Sequence, residues 1–222
     1  MFKVISFLIF SLVAASTTLC QESPGNYQLA VIDTDKGSIT VQLYNKTPVH
    51  RDNFIKLIKQ RYFDNQLFHR VIKNFMIQGG DPHSVNAARG QRLGSAGPGY
   101  TLPAEFHPEL YHKKGALAAA RRDDEANPEK RSSGSQFYIV QGRTFTVEEL
   151  EVMEQKGLHE PFTPTQIKMY TTVGGTPHLD GNYTVFGEVI EGLDVVDRIA
   201  SVETDDYDRP LNDIKYSIRL LE

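Results

Sequence analysis

Residues 68–81 read Phe-His-Arg-Val-Ile-Lys-Asn-Phe-Met-Ile-Gln-Gly-Gly-Asp, and they mix polar with large apolar side chains more densely than any other stretch of the chain. A turn at Lys73-Asn74 joins two strand-like runs, so side chains from both runs can meet on one patch. Those side chains are Arg70, Phe75, Met76 and Gln78. Taken alone, the residue types favour a structural role, because arginine on a strand is usually solvated or ion-paired, and Phe and Met usually belong to the core.

Further short runs of β-branched and aromatic residues surround this stretch and predict an antiparallel sheet. Residues 27–44 hold two such runs about the turn Asp35-Lys36-Gly37, which is typical of a β-hairpin. The other predicted strands, separated by Gly, Pro, Asn and Asp, are 67–72, 75–78, 115–120, 136–140, 183–189 and 214–220. An open sheet of about eight strands would leave exposed edges, so we expect a closed barrel.

Two predicted helices should cover the core of this barrel. Thr47-Pro48 provides an N-cap and a first-turn proline, and the apolar residues that follow recur at helical spacing, so we predict a helix over residues 48–60. A second helix fits residues 193–201, where apolar residues form a stripe. The predicted fold class is therefore mainly β, with a closed antiparallel barrel of about eight strands capped by two α-helices.

Residues 143–175 interrupt the β pattern, and we interpret them as a helical insertion between two strands. Thr146 and Glu149 form a capping box that opens one helix, which Gly157 would end. Thr163-Pro164 opens a second helix. Because capped helices are ordinary, a loop elaboration packed on the barrel is favoured over a surface for docking a partner.

The N-terminal residues have the layout of a secretory signal. Lys3 precedes an apolar run over residues 4–15, and a small, polar stretch follows it. The run is shorter than the ~20 residues of a membrane-spanning helix, so we expect no stable membrane insertion. The predicted organisation is a signal peptide over residues 1–20, a linker over 21–26 and one folded domain over 27–222.

Cleavage of this signal would release an exported protein, either periplasmic or secreted. Cys20 leaves an alternative open, because a cysteine at the end of a signal can become a lipidated N-terminus that anchors the protein. Leu19 precedes it, whereas lipoprotein signals prefer a small residue there, so we favour the free protein.

Charge and motif content exclude several classes of function. The 222 residues carry 24 Lys and Arg against 28 Asp and Glu without a dense basic cluster, which argues against nucleic-acid binding. Cys20 is the single cysteine and the seven histidines are scattered without an HExxH motif, so we expect no metal site and no cofactor. No GxSxG motif marks a serine hydrolase. The Gly-rich residues 90–99 lack the consecutive Gly-Lys-Ser/Thr of a phosphate-binding loop, and we expect an irregular surface loop there.

Three motifs, in order along the chain, resemble the cyclophilin family. They are residues 68–81, residues 134–139 (Gly-Ser-Gln-Phe-Tyr-Ile) and residues 178–187 (His-Leu-Asp-Gly-Asn-Tyr-Thr-Val-Phe-Gly). The resemblance covers about residues 28–221 and is to the bacterial exported branch in particular. It implies the barrel with two helices and peptidyl-prolyl cis-trans isomerase activity. We expect a monomer that acts on proline-containing segments of exported or unfolded proteins.

The resemblance also assigns roles to individual residues. It implies that Arg70 is the catalytic arginine, that Phe75 is part of the hydrophobic wall for the proline ring, and that Gln78 holds the substrate backbone. The implied substrate-binding residues are His69, Met76, Ala120, Arg121, Gln136, Tyr138, His178, Leu179 and Tyr183.

Three of these positions depart from the family pattern. Tyr138 stands where the family often has phenylalanine, and we expect its hydroxyl to have only a tuning effect. His178 replaces a frequent tryptophan that hydrogen-bonds cyclosporin, so we expect weak inhibition by cyclosporin. Tyr183 stands where histidine is frequent, and the long insertion 143–175 could reshape the rim near these residues.

The residue types also suit this reaction physically. The prolyl amide is planar, with a rotation barrier of about 18 to 20 kcal/mol, and its isomerisation breaks no bond. An enzyme needs only to bind the twisted amide better than the planar forms, which fits a sequence without a recognisable nucleophile or metal site. An alternative is a binding module that holds proline-containing segments as a chaperone without turnover, although an intact Arg70 favours the enzyme. A hydrolase or metal enzyme has no supporting motif.

Overall fold

A computed structural model describes residues 27–221. The predicted signal peptide with Cys20 and the linker lie outside the described residues. The strands are β1 (Gln28–Thr34), β2 (Gly37–Leu43), β3 (Gln66–Leu67), β4 (Arg70–Ile72), β5 (Met76–Gly79), β6 (Thr101–Leu102), β7 (Ala116–Ala119), β8 (Ser132–Ser133), β9 (Phe137–Val140), β10 (Val185–Glu191) and β11 (Lys215–Leu220). The α-helices are α1 (Pro48–Lys59), α2 (Val147–Gln155), α3 (Pro164–Thr172) and α4 (Leu193–Ala200).

The predicted antiparallel sheet is confirmed, and within residues 27–221 it holds nine strands in the order β3-β11-β1-β2-β10-β7-β9-β5-β4. β1 and β2 form the predicted hairpin, with Thr34 opposite Gly37 across the turn. β11 lies between β1 and β3, so the last strand of the sheet pairs with the first. β6 and β8 form a separate ladder that the sequence analysis did not predict, whereas residues 90–99 are irregular, as predicted.

The predicted strand over residues 67–72 is broken at Phe68 and His69 into β3 and β4. β3 and β4 lie at opposite ends of the sheet order. Phe68 and His69 connect them directly. β4 pairs on its outer side with a loop rather than with a strand, since the Val71 N–H donates to the Asp208 carbonyl at 2.8 Å. The prediction of a closed eight-stranded ladder is therefore not confirmed, and the described sheet is a curled one of nine strands.

The main core lies inside the curled sheet, where both α1 and α4 pack. α1 contributes Phe54, Leu57 and Ile58, and α4 contributes its predicted apolar stripe. The Phe54 ring meets Phe137 and Phe186 edge-on, with ring centroids 5.5 and 5.3 Å away. Burial of each such side chain is worth roughly 1.5–3 kcal/mol, which holds both predicted helices on the sheet.

The N-terminus of α1 is capped differently from the prediction. Thr47 makes no side-chain capping bond to the helix. Instead, Glu105, from the long loop before β7, accepts hydrogen bonds from the backbone N–H groups of Val49 and His50 at 3.1 and 2.9 Å. The physical reason is that a carboxylate satisfies these donors and also favours the positive end of the helix dipole, which a neutral hydroxyl does less well.

α2 and α3 confirm the predicted helical insertion. Thr146 and Thr163 each form a complete capping box at the start of their helix. The insertion leaves and rejoins the domain at one place, because Gly175 N–H donates to the Arg143 carbonyl at 2.9 Å and Arg143 N–H donates back at 3.3 Å. No helix within residues 27–221 has the length and apolar character needed to span a membrane.

Candidate active site

A cleft of about 540 Å³ opens beside β4, β5, β7 and β9. Ten of the twelve predicted site residues line it: His69, Arg70, Phe75, Met76, Gln78, Ala120, Arg121, Tyr138, Leu179 and Tyr183. The other two, Gln136 and His178, contact Gln78 and Phe75 of that lining. The structure therefore brings the predicted residues together in one place.

Alternation along the strands separates the cleft from the main core. In β9, Phe137 and Ile139 belong to the main core, whereas Tyr138 belongs to a second apolar cluster on the cleft side. Arg70 lies opposite Gln78, and Gln78 lies opposite Tyr138 on the next strand. Because directly opposed residues share a face of a sheet, these three side chains form a row across the floor of the cleft.

Arg70 is held at one end of this row. Its Nε donates to Asp208 Oδ2 at 3.3 Å, and its Nη1 donates to Gln78 Oε1 at 3.4 Å. Both bonds are long, and 42% of the Arg70 side chain is exposed. A guanidinium has five N–H donors and stays charged at physiological pH, so Arg70 offers a permanent cationic donor to a ligand in the cleft.

A directional set of hydrogen bonds orients the two predicted glutamines. Since Gln78 Oε1 accepts from Arg70, its amide nitrogen faces the other way and donates to Gln136 Oε1 at 3.0 Å. Gln136 Nε2 in turn donates to the carbonyls of Gly94 and Ala96 at 2.9 and 2.8 Å. Each amide therefore has one orientation consistent with the whole network. Side chains already ordered in this way lose little further entropy when they bind a ligand.

Asp81, the last residue of the first motif, supports the loop that holds Gln136. Its buried carboxylate accepts hydrogen bonds from the backbone N–H groups of His83 at 2.7 Å, of Ala96 at 3.4 Å, and of Gly94. Asp81 belongs to the first motif, but the sequence alone indicated no role for it. The contacts show that it fixes the far end of the glutamine network.

The other half of the cleft is apolar. Met76 and Leu179 are buried in the same cluster as the ring of Tyr138. Phe75 is half-buried against this cluster, and its ring stacks on His178 with centroids 5.7 Å apart and planes 29° apart. An apolar pocket thus adjoins the guanidinium of Arg70.

Arg121 and Tyr183 form the rim of the cleft. The Arg121 guanidinium lies 4.5 Å from the centroid of the Tyr183 ring. Its Nε donates to the Asn182 carbonyl at 2.7 Å, and its Nη1 donates to Asp124 at 2.6 Å. The charge of Arg121 is therefore engaged within the protein, and the side chain serves to hold Tyr183 in place.

Burial keeps three titratable side chains of the site neutral. It lowers the pKa of His69 to about 4. It raises the pKa of Tyr138 well above its ordinary value, and it lowers the pKa of His178. At neutral pH these groups are uncharged, so the positive charge of the cleft lining comes from its arginines, Arg70, Arg92, Arg121 and Arg209.

The loop over residues 205–209 was not predicted as part of the site, but it forms the wall next to Arg70. Within it, Tyr207 lies under Arg92, with the guanidinium carbon 4.2 Å from the ring centroid, and Asp208 contacts Arg70 from 138 positions away. Local patterns report only neighbours along the chain. No signal in the sequence could therefore have placed this loop beside the motif.

A known protein family matches most of the chain. The family model described as "Cyclophilin type peptidyl-prolyl cis-trans isomerase/CLD" matches residues 29–218. A Staphylococcus saprophyticus protein named "Putative peptidyl-prolyl cis-trans isomerase" is 36% identical over 203 residues, which cover 90% of this chain and 95% of the relative. A protein of the same name from Staphylococcus aureus strain USA300 is 35% identical over 185 residues, which cover 83% of this chain and 86% of the relative.

Solved structures share the fold. The crystal structure of a cyclophilin type peptidyl-prolyl cis-trans isomerase from Cryptosporidium parvum has a TM-score of 0.63 at 24% identity and covers 88% of this chain and 98% of that one. A second structure of the same protein, in the presence of the dipeptide Ala-Pro, has a TM-score of 0.62 at 24% identity and covers 88% and 99%. The predicted mainly β fold of this type is thereby confirmed.

Proposed function

This chain belongs to the cyclophilin family and is a peptidyl-prolyl cis-trans isomerase, and from that premise we propose that Arg70 promotes rotation about Xaa-Pro bonds of exported or unfolded proteins. One observation carries the proposal. A permanent cationic donor, Arg70, and an apolar pocket built from Phe75, Met76 and Tyr138 lie side by side in one cleft.

The reaction asks little covalent chemistry of the protein. Resonance holds the prolyl amide planar, and the barrier to rotation is about 18 to 20 kcal/mol. A site that binds the twisted amide more tightly than either planar isomer lowers this barrier without breaking a bond. Each 1.36 kcal/mol of such preference is worth about tenfold in rate.

Arg70 can supply this preference because twisting changes the amide nitrogen. As the C–N bond rotates, the nitrogen lone pair localises and becomes a hydrogen-bond acceptor, which a planar amide nitrogen is not. A charged donor already in place stabilises that acceptor selectively. Asp208 and Gln78 hold the Arg70 guanidinium in place before a substrate arrives.

The pocket and the glutamines position the substrate. Phe75, Met76 and Tyr138 would clamp the proline ring, while the carbonyl that precedes it remains able to rotate. Gln78 and Gln136 would bind the peptide backbone on either side. The Ala-Pro dipeptide named with the Cryptosporidium parvum structure has the Xaa-Pro bond that this arrangement requires.

The test is the cis-to-trans rate of a short Xaa-Pro peptide, measured by NMR exchange with residues 21–222 and with the Arg70→Ala variant. We expect Arg70→Ala to lower kcat/KM about 100-fold, the loss typical of removing one transition-state donor. The fold should survive, because the Arg70 side chain is 42% exposed. Arg122→Ala is the control, because it removes the same charge from an exposed position that does not line the cleft. It should leave the rate unchanged.

The outcomes separate the assignments. If Arg70→Ala stays folded and retains near-normal turnover, Arg70 is not the transition-state donor. If the wild type binds the peptide without accelerating its isomerisation, the protein acts as the binding module considered above, and the cleft holds proline-containing segments without turnover.

We also propose that the protein is exported before it acts. The support is the sequence pattern of residues 1–20, a charged start, an apolar run and a small, polar end. Mass spectrometry of the mature N-terminus tests it, since a free N-terminus near residue 15 or 21 indicates cleavage and release. An acylated Cys20 would establish the anchored alternative, and an intact Met1 would contradict export. Light scattering of the purified protein tests the expected monomer.

A further inference from the structure

Tyr138 lies on the cleft floor, and its hydroxyl contacts a buried histidine that does not line the cleft. The mechanism above does not use this histidine. Tyr138 Oη lies 3.0 Å from Nε2 of His112, and the two rings are stacked with planes 15° apart. Nδ1 of His112 lies 2.8 Å from Asp180 Oδ1, which also accepts the backbone N–H of His112 at 2.7 Å. His112 is completely buried, with 0% exposure. We call Tyr138, His112 and Asp180 the tyrosine anchor.

The helical insertion binds the far end of the tyrosine anchor. Tyr170 of α3 donates its hydroxyl to Asp180 Oδ2 at 2.6 Å, and Nε2 of His159, between α2 and α3, lies 3.1 Å from the same oxygen. The exit of the insertion also touches His112 directly, since Thr176 N–H donates to the His112 carbonyl at 2.8 Å. Gly175 packs so closely there that a Cβ atom would lie 2.2 Å from that carbonyl oxygen, so a side chain is not tolerated.

The protons of the tyrosine anchor follow from its acceptors. Burial would raise the pKa of Asp180, but hydrogen bonds from His112 and His159 outweigh it and bring the pKa to about 2. A carboxylate only accepts, so Nδ1 of His112 carries the proton. An imidazole that carries its one proton on Nδ1 accepts at Nε2, and the Tyr138 hydroxyl, which burial keeps protonated, is the donor that faces Nε2. The hydroxyl proton is thus used by a group that does not line the cleft.

We propose that His112 and Asp180 are positioning residues of the isomerase, which hold Tyr138 by its hydroxyl as the fixed floor of the proline pocket, with the helical insertion as their support. The inference rests on the proline pocket proposed above. It gives the insertion a part in substrate binding although no residue of the insertion lines the described cleft. It also means that Tyr138 presents its ring to the substrate and keeps its donor away from it.

The first test is the protonation state of His112, read from long-range 1H–15N NMR spectra of the full domain. We expect one neutral imidazole protonated on Nδ1, and we expect that signal to disappear in His112→Asn. A proton on Nε2 of His112, alone or together with one on Nδ1, would overturn the direction of the hydrogen bonds. This measurement needs no substrate, so it remains informative if the proposed proline pocket is wrong.

The second test is kinetic and uses variants that keep the aromatic rings. Tyr138→Phe removes the anchored hydroxyl, and we expect KM for an Xaa-Pro peptide to rise about fivefold with kcat nearly unchanged, the size of one lost hydrogen bond. Tyr170→Phe removes the support from the insertion and should raise KM about twofold. Tyr111→Phe is the control, because Tyr111 packs against Tyr170 with centroids 5.7 Å apart but forms no part of the tyrosine anchor.

The double variant decides whether the insertion acts through Tyr138. If it does, adding Tyr170→Phe to Tyr138→Phe changes KM no further, because the hydroxyl through which it acts is already absent. Independent, multiplying effects on KM would contradict the proposal, and so would an unchanged KM in Tyr138→Phe. A general loss of stability moves the unfolding midpoint of all variants but does not produce this non-additive pattern in KM.

Discussion

Asp208 shows how one distant residue can order the side chain that we propose as catalytic. Its carboxylate lies 3.3 Å from Nε of Arg70, and its carbonyl accepts the N–H of Val71, so backbone and side chain together fasten the loop to β4. Asp208 has a φ of 63°, in the left-handed region that Asn and Asp tolerate better than other side chains. The position thus combines a backbone requirement with an ion pair.

Asp208→Asn should reduce catalysis without disturbing the loop. Asn keeps the left-handed backbone but has no negative charge, so the guanidinium of Arg70 is less well oriented. We expect kcat/KM to fall about fivefold, less than for Arg70→Ala, since an ion pair whose two side chains are both 42% exposed is worth about 1 kcal/mol at most. The peptide isomerisation assay measures it. Asp206→Asn removes an equal charge from the same loop, and an equal loss there would show that net charge, not the pair with Arg70, is responsible.

His178 gives a prediction about inhibition. Its ring stacks on Phe75 at 5.7 Å, at the position where the family often has a tryptophan. Histidine offers less area and a different donor geometry than an indole, so cyclosporin should inhibit the protein weakly. His178→Trp should lower the inhibition constant at least tenfold, the effect of about one good hydrogen bond with its stacking area. Strong inhibition of the wild type, or no gain in the variant, would contradict this view.

At the scale of elements, the sequence was most informative where structure is decided locally. The hairpin turn, the capping box of Thr146, the helix start at Thr163-Pro164 and the apolar stripe of α4 all depend on residues within one or two turns, and all are confirmed. The resemblance to the cyclophilin family also rests on local sequence, because most of the candidate site residues lie in three short motifs. These predictions needed no knowledge of distant contacts.

The predictions failed where a distant group competes with a local one. Thr47 was predicted as the N-cap of α1 from its neighbours along the chain. Glu105, which is distant in the sequence, occupies that helix end instead. The strand over residues 67–72 was continuous in its residue types, but the loop around Asp208 takes one side of its second half. The support of Tyr138 by His112 was hidden for the same reason, since the two residues are 26 positions apart.

The stability contributed by the helical insertion should depend on pH, because His159 titrates. Burial disfavours its charged form, but the hydrogen bonds to Asp180 and to the Glu160 carbonyl, together with the charges of Asp180 and Glu154, outweigh burial and raise the pKa of His159 above its usual 6.5. The raised pKa contributes stability that is fully present below pH 6.5 and is lost as the pH rises through the folded-state value. We therefore expect His159→Gln to lose more unfolding free energy at pH 5.5 than at pH 9, measured by urea denaturation. An equal loss at both pH values would show that the charge of His159 does not stabilise the fold.

For the whole molecule, His69 should limit stability in acid. Burial lowers its pKa to about 4, whereas the unfolded chain binds a proton near 6.5. The contribution of His69 is therefore fully present above pH 6.5 and is lost as the pH falls to about 4, with a total of about 3 kcal/mol. His50 and His178, whose pKa values burial also lowers, add to the same slope.

The measurement is the free energy of unfolding between pH 4 and 8 in the wild type and in His69→Gln. Glutamine is neutral throughout this range, so the variant should show a shallower decline in acid although it is less well packed. Parallel curves for the two proteins would mean that His69 is not the source of the acid sensitivity. A steeper decline in the variant would also refute the assignment.

The place of β11 has a consequence for how the protein is made. Its residues fill the gap between β1 and β3, and pairs such as Ala30 with Leu220 join positions almost a whole domain apart in the chain. Until β11 has been synthesised and is available to pair, the facing edges of β1 and β3 lack a partner. Long-range pairings of this kind form slowly. In the export proposed above, the chain would cross the membrane before it could complete its own sheet. The isomerase would then complete its own fold only after its β11 segment had arrived.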